Sequence, residues 1–142
     1  MLLLKLCISG FLEIFILTLV YYYICVNMKT GFGWIKIKGS TYDHDIVIHV
    51  DGSITRRKKK ASKPMKGAYG HTPLSEMELD IIGRESPEVV MVGTGQYGNL
   101  PITPIAQTLL SGHPSVVKPT PSLLEDIARE KRSFVAILHV TC

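Results

Sequence analysis

The fold of the chain is decided by residues 87–98, which read PEVVMVGTGQYG. The four consecutive apolar residues from Val89 to Val92 are typical of a strand that is covered on both faces, and such strands usually lie in the middle of a parallel or mixed sheet. The strand runs into a glycine-rich loop, where a bound group could approach the backbone closely. In open α/β sheets, ligands bind outside the carboxyl ends of such strands. We therefore take Gly93, Thr94 and Gly95 as candidate ligand-binding residues.

The same loop formally matches the dinucleotide-binding pattern G-x-G-x-x-G. In a dinucleotide site a helix begins inside the motif, and an acidic residue follows about 20 positions later. Here Pro101 and Pro104 delay the helix, and Lys118 stands near the position where the acidic residue is expected. The sequence therefore predicts no nicotinamide or flavin cofactor. Contact with a small anion and a purely structural turn both remain open.

Helices and strands alternate downstream of this loop. Helices are predicted from Pro104 to Ser111, ended by Gly112, and from Ser122 to Lys131, where apolar residues have helical spacing. A short strand is predicted at residues 115–118, and a last strand at residues 134–140 is apolar on both faces and therefore central. This alternation implies right-handed crossovers and parallel pairing.

Short strands are also predicted upstream, at residues 34–38 and 45–50 and, after the hairpin turn Asp51-Gly52, at residues 53–56. We expect these three strands to form one antiparallel meander.

An irregular loop should follow at residues 58–72. It should lead into a helix that is capped by Thr72 or Ser75 and ended by Gly83. At 142 residues the chain is long enough for one core, so the sequence indicates a single α/β domain over residues 28–142, with a partly parallel central sheet and an N-terminal meander.

Residues 1–27 form an apolar N-terminal extension. Between residues 6 and 26 only Ser9, Glu13 and Thr18 are not apolar, and at about 1.5 Å per residue this stretch could cross the ~30 Å core of a bilayer. A signal anchor is one interpretation, and a mis-assigned start with Met28 as the true first residue is another. A cleaved signal fits less well, because the stretch offers no small-residue cleavage site. If the stretch spans a membrane, the basic flank after it places the domain in the cytoplasm.

The formal net charge of +4 is concentrated in one basic segment. Seven of the sixteen Lys and Arg residues lie between Arg56 and Lys66, and without them nine basic residues face twelve acidic ones. The basic character therefore describes one segment, and no aromatic residue is interleaved in it up to Lys63. These observations argue against nucleic acid as a class of partner. Arg56 and Arg57 are retained as candidate anion contacts because they lie nearest the hairpin.

The cysteines are Cys7, Cys25 and Cys142, and no C-x-x-C pair occurs. The histidines have no metal-type spacing either, so the sequence predicts no metal site and no disulfide framework.

The ending HVTC at residues 139–142 suggests a cysteine–histidine nucleophile. Strand geometry opposes this pairing, because residues three apart point to opposite faces; His139 should align with Thr141 while Cys142 faces away. A catalytic pair would need His49, His71 or His113 to reach Cys142 from elsewhere in the fold. The other interpretation is a structural cysteine, so the catalytic residues stay unknown.

Four segments taken together carry a family resemblance. They are residues 46–57 (IVIHVDGSITRR), 69–71 (YGH), 92–95 (VGTG) and 137–142 (ILHVTC). The chain resembles the Mth-type domain family, named for an uncharacterised methanogen protein, over about residues 32–142, and it is most similar to the archaeal members. The family also includes the adipogenesis-associated domain protein and assembly factor three of mitochondrial complex I.

The resemblance implies a single three-layer β/β/α domain, with a mixed or parallel central sheet and a second antiparallel layer. No enzymatic activity is established for the family, so the resemblance supplies no catalytic residues. The mitochondrial member acts as an assembly partner, which implies a binding role. The apolar N-terminus departs from the family pattern and favours a start at Met28.

The sequence as a whole predicts a cytoplasmic, non-enzymatic interaction or assembly module with an unknown protein partner. The alternative is a small anion-binding protein or enzyme that uses the loop at residues 93–95 with Arg56, Arg57 or His71. A membrane is a partner only if residues 6–26 are a true span.

Overall fold

The computed structural model describes residues 13–16, 19 and 28–142. Residues 13–16 and 19 are helical. The rest of the apolar segment predicted at residues 6–26 lies outside the described residues. Within the described ranges, no helix is both long enough and apolar enough to cross a membrane.

The strands form two sheets. The first is antiparallel and contains, in spatial order, β1 (Lys29–Gly31), β2 (Trp34–Ile37) and β3 (Ser40–Tyr42). The strands of the second are β4 (Ile46–Ile48), β5 (Ile54–Arg56), β6 (Val89–Thr94), β7 (Ser115–Lys118) and β8 (Phe134–His139). Their spatial order is β5-β4-β8-β6-β7. Because β6 is parallel to β7 and β8 while β4 is antiparallel to β5 and β8, the five-stranded sheet is mixed.

Four α-helices and two 3-10 turns connect the strands. The helices are α1 (Lys66–Tyr69), α2 (Asp80–Glu85), α3 (Pro104–Ser111) and α4 (Thr120–Arg129). The 3-10 turns are Lys63–Met65 and Glu76–Glu78. The first residue of α3 is a proline, and Thr103 caps this helix by accepting a hydrogen bond from the N–H of Ala106 at 3.3 Å.

The core lies on both faces of the five-stranded sheet, because alternate residues of a strand point to opposite faces. Met91 and Leu138 belong to the face that packs against the three-stranded sheet and α4, through Ile35 and Leu123. The opposite face, which includes Val92, packs against α3 and the segment before α2. These layers confirm the predicted α/β fold with a mixed central sheet and a second antiparallel sheet.

The strands at the centre of the sheet were also predicted correctly. All six residues of β6 are buried, and β8 occupies the middle position. The predicted helix at residues 104–111 and the predicted strand at residues 115–118 have the expected bounds. The helix predicted to begin at Ser122 begins two positions earlier, at Thr120.

The prediction that residues 34–38, 45–50 and 53–56 form one meander is wrong. Residues 34–37 pair with β1 and β3, whereas residues 46–48 pair with β5 and with the central β8. The physical reason is a turn at Lys38 and Gly39, whose φ angles are +49° and +83°. This turn reverses the chain after β2, and the returning strand β3 takes the place beside β2. The hairpin of β4 and β5 therefore pairs with β8 in the five-stranded sheet.

The prediction for the segment at residues 58–85 is also wrong in part. The loop contains the first 3-10 turn and α1, and the next helix is divided into a 3-10 turn and α2. Ser75 makes no side-chain capping hydrogen bond, because its hydroxyl is bonded to the Ser62 hydroxyl at 2.7 Å, and the side chain of Glu78 is bonded to Arg57 and Ser62. Gly83 lies inside α2, and the residue that follows this helix, Ser86, has a φ of +47°.

The single tryptophan of the chain lies on the outer face of the three-stranded sheet. Trp34 pairs in register with Gly31, and a Cβ atom added at Gly31 would lie 2.6 Å from the indole Nε1. The absence of a side chain at Gly31 therefore allows the indole ring to lie directly against β1 at this position.

Candidate functional site

A row of polar side chains crosses the five-stranded sheet at the edge where β6 and β8 end. Thr94 of β6 pairs with His139 of β8, and the register of β4 places Asp45 beside His139 and Arg57 beyond Asp45. The carboxyl ends of parallel strands are the usual place for a ligand in such a sheet. The row therefore lies where the sequence led us to expect a site.

Four side chains here form what we call the buried ion cluster: Asp45, Arg57, Glu78 and His139. Their side chains are almost entirely buried. Arg57 donates from Nε and Nη2 to the two carboxylate oxygens of Glu78 at 2.7 and 2.9 Å, from Nη1 to Asp45 at 3.0 Å and from Nη2 to the carbonyl of Pro73 at 2.9 Å. The fork of the guanidinium group is thus used to hold two carboxylates together.

Asp45 lies at the centre of the cluster. One of its oxygens, Oδ2, accepts hydrogen bonds from Arg57 and from Nδ1 of His139 at 2.7 Å, while Oδ1 accepts the N–H of Val140 at 3.0 Å. Lys59 Nζ lies 3.7 Å from Oδ2. Burial by itself would raise the pKa of Asp45, but the hydrogen bond and charge of His139, the Val140 N–H and Arg57 outweigh it and hold the pKa far below its ordinary value.

The hydrogen bonds continue from His139 to the surface. Because a carboxylate can only accept, Nδ1 of His139 donates to Asp45, and Nε2 on the other side of the ring lies 3.1 Å from the Thr141 hydroxyl, within hydrogen-bond distance. Thr141 Oγ1 lies 3.8 Å from Cys142 Sγ, and this sulfur lies 3.6 Å from Nδ1 of His71. Cys142 is half-buried and His71 is exposed, so the sequence of contacts runs from the buried ion cluster to solvent.

This geometry answers two questions left by the sequence. The alignment of His139 with Thr141 is confirmed by their hydrogen bond. The histidine that meets Cys142 is His71, brought from 71 positions away. A hydroxyl beside an imidazole that is oriented by a carboxylate, as Thr141 lies beside His139, is an arrangement that supports proton transfer.

The glycine loop closes against the same residues. The N–H of Gly95 donates to Thr120 Oγ1 at 3.0 Å, and Thr120 Oγ1 donates to the carbonyl of His139 at 2.6 Å. A Cβ atom added at Gly95, whose φ is +99°, would lie 2.4 Å from the carbonyl carbon of Cys142. Only a glycine allows the end of β8 to approach the loop this closely.

The main-chain N–H groups of the loop are bonded within the chain from Gly95 to Leu100. The N–H of Gln96 donates to the carbonyl of Thr141 at 2.7 Å, and those of Tyr97 and Asn99 donate to the main-chain oxygen of Cys142 at 3.2 and 3.1 Å. Gly98 and Leu100 donate to carbonyls of the loop itself. The loop therefore holds the segment at residues 141–142.

The candidate residues named from the sequence are only partly brought together. Gly95 and His71 both approach Cys142, and Arg57 is connected to it through Asp45 and His139. Gly93 and Thr94 are buried in β6. Arg56 is exposed on β5 and lines a different surface, a groove on the sheet.

Sequence reasoning did not identify Asp45 and Glu78 as members of the site. Asp45 is 94 positions from His139 and Glu78 is 21 positions from Arg57, so no local spacing connects them. The signal that could have been used is that Asp45 stands immediately before β4 and Arg57 immediately after β5, the strand that pairs with β4. His49, considered earlier as a partner for Cys142, is bonded instead to Glu85 and Thr55, both at 2.6 Å. Among the described residues, no cluster of three His, Cys, Asp or Glu side chains could hold a metal ion.

Several solved structures are similar to this chain. One is the crystal structure of conserved hypothetical protein PH1505 from Pyrococcus horikoshii OT3, with 38% sequence identity and a TM-score of 0.67. The match covers 80% of this chain and 97% of PH1505. The chain belongs to the family of PH1505. The structure of MT938 matches with 32% identity and a TM-score of 0.65, over 80% of this chain and 96% of MT938.

No protein-family model matches the chain, and the comparison with curated proteins gave no match. The name of PH1505 states no activity. Membership in the PH1505 family therefore fixes the fold, and the function has to be argued from the geometry.

Proposed function

We propose that the chain is a non-enzymatic protein-interaction module of the assembly type and that the PH1505 family is the Mth-type domain family. The module works in the cytoplasm, either free or held at a membrane by residues 6–26. The resemblance to the Mth-type family gains support from the positions of its four segments, since they supply Arg57, His71, Gly95 and His139 to one edge of the sheet.

The observation that carries the proposal is that the polar groups at this edge are already bonded to one another. Each N–H from Gly95 to Leu100 has an acceptor in the chain, and Arg57 donates to two carboxylates and a carbonyl. A ligand at the loop would have to displace these bonds, and leaving a buried polar group unpaired costs about 1 to 3 kcal/mol. The edge is therefore suited to holding the fold together, which leaves the outer surface to make the interactions.

Affinity capture of the full chain from its native cell, after mild crosslinking, tests this function. We expect one protein partner that co-purifies reproducibly and that forms a complex with the chain when both are purified. A thermal-shift screen of phosphates, nucleotides and carboxylates should run beside it, because a ligand at 100 times its dissociation constant would stabilise the fold by about 2.7 kcal/mol. A ligand with that effect, in the absence of any partner, would refute the interaction module.

The contact between Cys142 and His71 favours a second candidate function, a thiol-dependent enzyme or anion-binding protein at the glycine loop. A thiol beside an imidazole can act as a nucleophile once its proton is transferred. The separation of 3.6 Å brings the two groups together at the surface, next to Gly95.

The rate at which iodoacetamide alkylates Cys142 distinguishes this candidate. Mass spectrometry measures the rate at Cys142 in the folded chain, and the rate at the same residue in the urea-unfolded chain and the rate of free glutathione serve as references. If the pair is functional, Cys142 should react faster than the references near pH 7, and His71→Gln should remove the difference. Equal rates that are unchanged by the substitution would rule out an activated thiol.

A further inference from the structure

The surface on which Arg56 lies is a groove that borders the buried ion cluster at Arg57 and Glu78 but does not include the glycine loop, His71 or Cys142. It has a volume of about 780 Å³ and lies between β5, the basic segment that follows β5, and the helical segment at residues 76–84. This volume is in the range of about 300 to 1,000 Å³ that is usual for binding pockets. The groove is therefore large enough to receive several side chains of a partner.

The floor of the groove is aliphatic. Val47 of β4 is half-buried there, and Ile81 of α2 and Ile137 of β8 lie at its base. Met77 is 45% exposed at its side. A methionine adapts its shape to different partners, and aliphatic floors of this kind bury an aliphatic side chain of a bound molecule.

The rim of the groove is cationic. Arg56, Lys58 and Lys60 all line it, and within the described part of the chain none of them has an ion-pair partner. The acidic groups nearby are already paired, Glu78 with Arg57 at 2.7 Å and Asp80 with Arg84 at 3.2 Å. Three positive charges of the rim are thus left without a counter-charge, above an apolar floor.

We infer that this groove binds an acidic segment of the partner protein, with an aliphatic side chain of that segment on the floor and its carboxylates against Arg56, Lys58 and Lys60. The inference rests on the proposed interaction function and names the surface that performs it. Charge complementarity selects carboxylates, and it opposes a second copy of the same face, whose charges would repel. Single-stranded nucleic acid is a poor fit, because no Phe, Tyr or Trp among the described residues lines the groove for bases to stack on.

The probe for this inference is a short fluorescein-labelled peptide of alternating Glu and Leu residues, whose binding to the full chain is measured by fluorescence anisotropy. We expect saturable binding that weakens as salt is added. A peptide with Lys in place of every Glu should not bind, and one with Ser in place of every Leu should bind more weakly. A labelled oligonucleotide should not compete.

The triple variant Arg56→Glu/Lys58→Glu/Lys60→Glu should weaken binding of the peptide at least about tenfold. Its matched control is Lys36→Glu/Lys38→Glu/Lys131→Glu, which makes the same change in net charge at exposed positions elsewhere and should bind as the wild-type chain does. Met77→Ser, which removes an apolar contact and no charge, should weaken binding about fivefold. Circular dichroism of each variant confirms that it is folded.

No binding by the wild-type chain, equal weakening in the two triple variants, or tighter binding of the oligonucleotide would each overturn the inference. Capture of the native partner tests the proposed function separately from the groove. If the groove variant captures the native partner as well as the wild-type chain does, the groove assignment fails while the interaction module stands. If no variant and no wild-type chain captures a partner, the interaction module itself fails.

Discussion

Asp45 shows how much of this site depends on single residues. A buried carboxylate is tolerated only if its charge is compensated, and here Arg57, His139 and a main-chain N–H share that task. Because each of these donors is itself buried, removing the central charge affects all of them at once.

We predict that Asp45→Asn lowers the free energy of unfolding at pH 7 by about 3 to 5 kcal/mol, since it leaves Arg57 and His139 without their shared partner. The pH dependence should change as well. The pKa of Asp45 in the folded protein lies below its ordinary value of 3.8, so the unfolded chain binds more protons as the pH falls below about 5. The wild-type chain therefore loses stability in that range, and the variant should lose less.

Urea unfolding at a series of pH values measures both effects. Asp43→Asn is the matched control, because Asp43 is exposed and should change stability by less than about 0.5 kcal/mol. An Asp45→Asn variant that is as stable as the wild-type chain, with the same slope below pH 5, would contradict the role of the cluster.

Gly95 gives a second prediction for a single residue. In Gly95→Ala the new Cβ atom would lie 2.4 Å from the carbonyl carbon of Cys142 and 2.5 Å from the carbonyl oxygen of Thr141, at a φ of +99°. We expect a loss of more than about 2 kcal/mol in the free energy of unfolding. Gly83→Ala is the control, since Gly83 lies inside α2 with open space around it, and it should gain about 0.5 to 1 kcal/mol. The pair is measured by thermal or urea unfolding, and equal effects of the two changes would refute the argument.

At the scale of elements, the sequence predicted those strands whose burial follows from their own amino-acid composition. The apolar runs of β6 and β8 could only be buried, and Pro104 and Gly112 mark the ends of α3. The partner of β2 could not be predicted in the same way. Its alternation of apolar and polar residues suits either sheet, and the choice was made by the turn at Lys38 and by the pairing of β4 with β8, which are far apart in the sequence.

The same limit applies to the candidate site. The loop at residues 93–95 could be found, because a strand that ends in glycines has a local signal. Its neighbours could not, because the contacts of Asp45 with His139 and of Cys142 with His71 join positions 94 and 71 apart. Arg57 looked like an available cation, and only the fold reveals that two carboxylates already hold it.

Thr120 is the point at which α4 is joined to β6 and β8, and it yields a prediction about these elements. Its hydroxyl accepts the N–H of Gly95 and donates to the carbonyl of His139. Thr120→Val keeps the shape but removes both bonds at a buried position, so we expect a loss of about 1 to 3 kcal/mol in the free energy of unfolding. The control Thr108→Val removes an exposed hydroxyl that bonds Pro104 and should cost less than about 0.5 kcal/mol. Chemical denaturation of both variants decides the matter.

For the whole molecule, the layers imply a gradient of stability from the middle of the five-stranded sheet outwards. Strands β6 and β8 are buried on both faces, whereas β1, β5 and β7 lie at sheet edges. Amides that open only when the whole domain unfolds exchange their hydrogens most slowly.

We predict that the amide hydrogens of Val90 to Val92 and Val135 to Ile137 exchange most slowly, at the rate set by global unfolding. Those of residues 58–61, next to the groove, should exchange much faster. Native-state hydrogen exchange followed by NMR or mass spectrometry measures both sets in one experiment. Slowest exchange in the three-stranded sheet would place the stable core elsewhere.

The position of Trp34 over Gly31 makes the chain its own spectroscopic probe. Because it is the only tryptophan, fluorescence excited at wavelengths that tyrosine does not absorb reports on the three-stranded sheet alone, while far-ultraviolet circular dichroism averages over every helix and strand. Two melting curves recorded on one unlabelled sample can therefore be assigned to different layers. If the curves coincide, the three-stranded sheet and the five-stranded sheet unfold as one unit. An earlier fluorescence transition would mean that the three-stranded sheet detaches while the five-stranded sheet, with Asp45 and His139, is still folded.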